Sequence, residues 1–154
     1  MKSRHALSML LVAALGAQLA CSRDTVVSST LFAPEGTEPL PLTVRVRPPV
    51  FRERLPAIEV SGLAGSIRVE VVRPDIGCTL AQATVGREPG VLTVVARVGG
   101  DPLALCSGGN VVEYAGVIGG VASGRYTVHI FEAVGDGAPR RLGTRTVTAL
   151  PPAA

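Results

Sequence analysis

From residue 42 onward the chain alternates between apolar and polar side chains. In Leu42-Thr43-Val44-Arg45-Val46-Arg47 the aliphatic residues take one face, and Thr43, Arg45 and Arg47 take the other. Residues 66–73 repeat the pattern, with Ile67, Val69 and Val71 opposite Arg68 and Glu70. Residues 111–131, VVEYAGVIGGVASGRYTVHIF, hold two strand-like runs around a Gly-rich break. After the break, Tyr126, Val128 and Ile130 alternate with Arg125, Thr127 and His129. Period two marks a strand with one row on a core and the other facing out. Residues 91–98 are apolar on both faces except at Thr93 and Arg97, which predicts a central strand covered on both sides. Residues 57–60 and 79–85 are further strand candidates, and residues 142–150 form the last, with Val147 toward the core.

The punctuation between these runs is Pro- and Gly-rich: Pro48-Pro49, Pro74-Asp75, Arg87-Glu88-Pro89-Gly90, Gly99-Gly100-Asp101-Pro102, Gly135-Asp136-Gly137 and Pro151-Pro152. Proline cannot donate to a ladder, and glycine supplies the backbone freedom that turns need. Residues 50–56, with Phe51, Arg52, Glu53 and Arg54, read as a solvated loop. About seven or eight short strands result, with turn signals roughly every 8–12 residues, the spacing of a sandwich or barrel.

Composition narrows the core. Hydrophobic residues make up 47% of the 154, yet aromatics only 3%, with no Trp, so the core is aliphatic. The net charge of +3 shrinks once Lys2 and Arg4 are set aside, leaving 13 Arg against 12 acids. No basic patch with interleaved aromatics exists, so nucleic acid is not the expected partner.

Lys2 and Arg4 belong to a different segment. Residues 1–20, MKSRHALSMLLVAALGAQLA, have a basic start, an apolar run from Ala6 to Ala17 and small residues at the end. That is the layout of a secretory signal peptide, too short for a comfortable membrane span. The following Gln18-Leu19-Ala20-Cys21-Ser22 resembles the lipobox of bacterial lipoproteins, with Gln18 where the family usually has an aliphatic residue. The resemblance implies a lipid on Cys21 and, with Ser22 next, an outer-membrane destination. Cleavage without acylation would instead leave a soluble exported protein with a free Cys21. Residues 21–41, rich in Ser, Thr, Pro and acids, read as a flexible tether, in which Val26-Val27 and Leu31-Phe32 are the only sticky parts and the candidates for an added edge strand. If Cys21 carries lipid, Cys78 and Cys106 remain as a pair, and export favours a disulfide between them.

Residues 114–130, YAGVIGGVASGRYTVHI, resemble the last strands of Ig-like and fibronectin type III-like modules at Gly124, Tyr126, Val128 and Ile130. The resemblance implies a single Ig-like antiparallel β-sandwich over residues 42–150, followed by a tail at 151–154. It also implies a tyrosine corner, with the Tyr126 hydroxyl bonded to backbone upstream. No Trp stands on a middle strand, and the Cys78–Cys106 spacing is not that of the antibody disulfide.

Candidate chemistry is sparse. The segment after residue 20 holds one His, His129, and no Met, too few ligands for a copper or zinc centre, so no cofactor or metal is expected. A hydrolytic set of His129 with Glu113, or with Ser107 or Ser123, has no Gly-x-Ser-x-Gly elbow to support it. Few aromatics are left to form a sugar platform. The reading is a non-catalytic, membrane-anchored envelope protein with a structural or protein-binding role, whose Arg45/Arg47 and Arg140/Arg141 clusters are candidate contact surfaces. The competing readings are a small envelope hydrolase using His129 and a ligand-binding accessory module.

Overall fold

The computed structural model describes residues 25–27, 35–50, 52, 54–76, 79–100 and 109–152. The signal segment 1–20, Cys21, Cys78, Cys106 and Ser107 lie outside the described residues. Ten strands are described: β1 (Thr25–Val27), β2 (Thr37–Leu40), β3 (Leu42–Arg47), β4 (Ala57–Leu63), β5 (Ser66–Pro74), β6 (Thr79–Glu88), β7 (Val91–Gly100), β8 (Val111–Gly119), β9 (Gly124–Val134) and β10 (Arg140–Ala149). They form two five-stranded sheets, ordered β1-β3-β8-β5-β4 and β10-β9-β7-β6-β2. The described residues are therefore all-β, and the two layers make a sandwich.

Three expectations need correction. The strand count among the described residues is ten, because Val26-Val27 does add an edge strand, β1, and β2 recruits residues read as tether. Thr25–Val27 pairs with β3 at the edge of the first sheet, and Thr37–Leu40 pairs with β6 at the edge of the second. The sheets are not purely antiparallel, since β7 and β9 run parallel, with Thr93 opposite His129 and Val95 opposite Phe131. Parallel neighbours need a crossover. Here the crossover is β8, which leaves the second sheet, lies between β3 and β5 in the first, and returns through residues 120–123. Lastly, β7 is central in its sheet, but its outer residues Val91, Thr93 and Val95 are only half-buried, so one of its faces is uncovered.

Alternation decides what fills the space between the layers. Leu42 and Val44 of β3, Ile67, Val69 and Val71 of β5, and Val112, Tyr114 and Ile118 of β8 point inward from the first sheet. Ala81, Ala83 and Val85 of β6, Leu92, Val94, Ala96 and Val98 of β7, and Val128 and Ile130 of β9 meet them from the second. Most are β-branched or small, which suits a pleated surface and lets the layers approach closely.

Each side of the sandwich is closed by backbone. On one side the chain passes from β2 to β3 through Pro41 alone, changing sheets as it does. On the other, β4 and β10 meet through a parallel bridge of Ala64 with Leu150, reinforced by Gly65 N to Leu150 O (2.9 Å) and Leu150 N to Leu63 O (3.0 Å). Gly62 makes this approach possible: a Cβ there would lie 1.8 Å from the Thr148 carbonyl oxygen. Closure leaves fewer bare sheet edges to template pairing with other chains.

The tight turns follow their sequences. Pro89-Gly90 joins β6 to β7 with Gly90 at φ 70°, the left-handed value that the third position of a type II turn demands. Gly135-Asp136-Gly137 turns β9 into β10, with Gly137 N bonded to Val134 O at 3.0 Å.

Gly62→Ala should force the β4–β10 seam apart at a cost of about 1–3 kcal/mol, the usual range for overpacking. A clear drop in the thermal midpoint followed by circular dichroism is the expected result, and an unchanged midpoint would contradict it.

Candidate functional site

The outward rows of the first sheet carry its chemistry. Arg45 and Arg47 on β3, Glu113, Ala115 and Val117 on β8, and Arg68 and Glu70 on β5 share this face, because Arg45 lies opposite Glu113, Thr43 opposite Ala115 and Arg68 opposite Val117. Two ion pairs fix their positions: Arg47 Nε to Glu113 Oε2 at 3.3 Å, and Arg68 Nη2 to Glu70 Oε2 at 2.7 Å. The second pair raises the Arg68 pKa through the hydrogen bond and the charge of Glu70. Between them runs an open groove of about 360 Å³, lined by Pro41, Thr43, Arg45, Arg68, Glu113, Ala115 and Val117. Its floor is small because Thr43 and Ala115 are small. Its walls are charged, and Val117 is 50% exposed.

His129 is brought together with neither Glu113 nor Ser123. Glu113 faces out from the first sheet and pairs with Arg47, whereas His129 faces out from the second and shares a 3.0 Å contact between Nδ1 and Thr144 Oγ1. The two residues stand on opposite outer faces of the sandwich. Ser123 lies six residues before His129, a separation of roughly 20 Å along an extended chain. Among the described residues no group of three His, Cys, Asp or Glu stands close enough to hold a metal ion, and no helix is long and apolar enough to cross a membrane.

Gly124 opens β9 opposite Ala149. Tyr126 donates its hydroxyl to the carbonyl of Ala122, four residues upstream, at 3.1 Å. Arg140 and Arg141 begin β10, both exposed, with the Arg141 guanidinium 5.4 Å from the centre of the Phe131 ring.

A second polar cluster was not anticipated, and it lies inside. Glu132 of β9 is 2% exposed and points between the layers. Its Oε2 accepts the Tyr114 hydroxyl of β8 at 2.9 Å, and its Oε1 lies 2.7 Å from Arg73 Nη1 of β5. Arg73 Nε donates to Pro74 O at 3.3 Å. One carboxylate oxygen thus accepts a hydrogen bond and the other is ion-paired from the facing sheet, although the Arg73 Nη1 contact falls outside hydrogen-bond geometry, and a buried charge persists only when so compensated. The signal was present in the sequence. The inward row of β9 runs Tyr126, Val128, Ile130 and then Glu132, and that of β5 runs Ile67, Val69, Val71 and then Arg73.

No family model, curated protein or solved structure matches the chain.

Burial first, then the charge of Glu132 and its hydrogen bond, raise the Tyr114 pKa above its ordinary value near 10. As pH rises past about 10 the unfolded chain ionises this group before the folded one does. Stability from this source is therefore complete below about pH 10 and declines above it, by roughly 1.4 kcal/mol per pH unit. Urea midpoints between pH 8 and 11 should show that slope in the native chain, and Tyr114→Phe should lack it. Arg73→Leu, which strands the Glu132 charge, should cost about 3–5 kcal/mol, and adding Glu132→Leu should recover part of the loss. A double variant less stable than Arg73→Leu alone would contradict the pairing.

Proposed function

We propose that this chain is a non-catalytic β-sandwich of the cell envelope, held to a membrane by lipid on Cys21, that contacts another envelope protein through the outer face of its first sheet. The observation that carries the reading is the groove between Arg45 and Arg68. Its charges are already paired and held by β3, β5 and β8, so little order is lost when a partner binds. An Ig-like or fibronectin type III-like kinship is part of the same proposal. It is supported by the Tyr126–Ala122 bond, in the manner of a tyrosine corner, while the parallel β7–β9 pair departs from the antiparallel layers of those modules.

The anchor and the groove are tested separately. Mass spectrometry of the processed protein should find an acylated N-terminus at Cys21, and Cys21→Ser should release the chain from the membrane fraction. Affinity capture from detergent-solubilised envelope should enrich a protein that Arg45→Glu/Arg68→Glu no longer captures, with the thermal midpoint unchanged. Identical captures by the native chain and the double variant would remove the groove from the reading.

A further inference from the structure

Every arginine is a point where an arginine-specific protease could cut, and the fold shields most of them. Arg45, Arg68, Arg97 and Arg125 stand on β3, β5, β7 and β9, each of which pairs with a strand on either side. A protease cleft takes several residues around the scissile bond in extended, unpaired form, so these sites open only when two ladders are given up. Arg47 and Arg73 precede Pro48 and Pro74, whose ring replaces the amide hydrogen at the nitrogen to be released. Arg87 lies beside the β6–β7 hairpin, paired with Glu38 and donating to the Gly119 carbonyl at 2.9 Å. Arg52 holds φ 65°, far from the extended form.

Arg140 and Arg141 are placed differently. They open β10, the outermost strand of its sheet, opposite Glu132 and Phe131 of β9. The register then shifts between Arg141 and Gly143, so these two pairs stand apart from the seven that run from Gly143 to Ala149. Val134 to Arg141 are eight consecutive exposed residues, the longest such run among the described residues. The bonds that hold the turn gather at its start: Gly135 N to Val98 O (2.8 Å), Gly137 N to Val134 O (3.0 Å) and Arg97 Nη1 to Gly135 O (2.5 Å). Pro139 brings no N–H of its own and biases Ala138 toward extended backbone. Freeing residues 138–141 therefore costs two ladder pairs and the 5.4 Å contact of Arg141 with the Phe131 ring.

We infer that the Arg140-Arg141 pair is a processing site for an arginine-specific endoprotease, and that the cut leaves a folded sandwich whose β10 is held by noncovalent contacts alone. Water adds across the severed peptide bond, leaving a carboxylate on the arginine side and an amine on the other. The strand stays because its anchors lie beyond the cut. Val147 and Ala149 pack on the core, and Leu150 makes two backbone bonds, one with Leu63 and one with Gly65. No disulfide can replace the lost bond, since Cys21, Cys78 and Cys106 all precede it.

The test is digestion of the purified, folded protein by trypsin, with fragments identified by mass spectrometry. Within residues 35–152 the first cut should fall after Arg140 or Arg141, roughly tenfold faster than at any other arginine of that span. The two fragments should co-elute in size exclusion and separate in urea. The thermal midpoint of the cut protein should rise with its concentration, as a two-chain complex requires. Arg140→Gln/Arg141→Gln, at exposed positions, should abolish this cut, with circular dichroism showing the variant folded. A first cut elsewhere in the span, after Arg54 for example, would overturn the site. Loss of β10 from the cut protein, or a midpoint independent of concentration, would overturn the retained strand.

Discussion

A carboxylate buried between two aliphatic layers constrains everything around it. Glu132 comes from one sheet, and the groups that satisfy it, Tyr114 and Arg73, come from the other. Aliphatic packing alone tolerates sliding, because one valine serves nearly as well as the next. A buried charge does not: a shift of one residue would turn Glu132 outward and leave Arg73 facing hydrocarbon. The pair thus fixes the relative register of the layers, and through β8 and β5 it fixes the outer face where Arg45, Arg68 and Glu113 lie.

The sequence disclosed side-chain faces far better than strand partners. The faces of residues 42–47 and 125–130 are each read correctly, because period two needs only local information. β2 was hidden: of Thr37-Glu38-Pro39-Leu40 only Leu40 is buried, so there is no alternation to see. Arg73 and Glu132 were overlooked although each simply extends an inward row, since a lone charge at the end of an apolar row looks like the place where the strand surfaces. Only the facing of one against the other, across the layers, gives them meaning.

The outer rows tell the same story. Arg45 and Arg47 were legible as an exposed pair, but the partner of Arg47 was not, because β3 and β8 are far apart in sequence. Glu113 was set beside His129 on the assumption that neighbouring runs share a sheet. The Gly-rich break between them carries the chain from one layer to the other instead, and the two side chains end on opposite surfaces. What a linear reading lacks is the decision, at each turn, whether to stay in a layer or to leave it.

The excursion of the chain through β8 bears on how the molecule assembles. The β6–β7 hairpin and the β9–β10 hairpin each pair strands that are neighbours in sequence. Their union into one sheet waits for the opposite layer, since the strand joining them must first be seated there. Long-range pairing of this kind slows folding and prolongs the exposure of unfinished edges. For this chain the second sheet is therefore completed only once β8 is seated between β3 and β5, so its two hairpins depend on the layer they face.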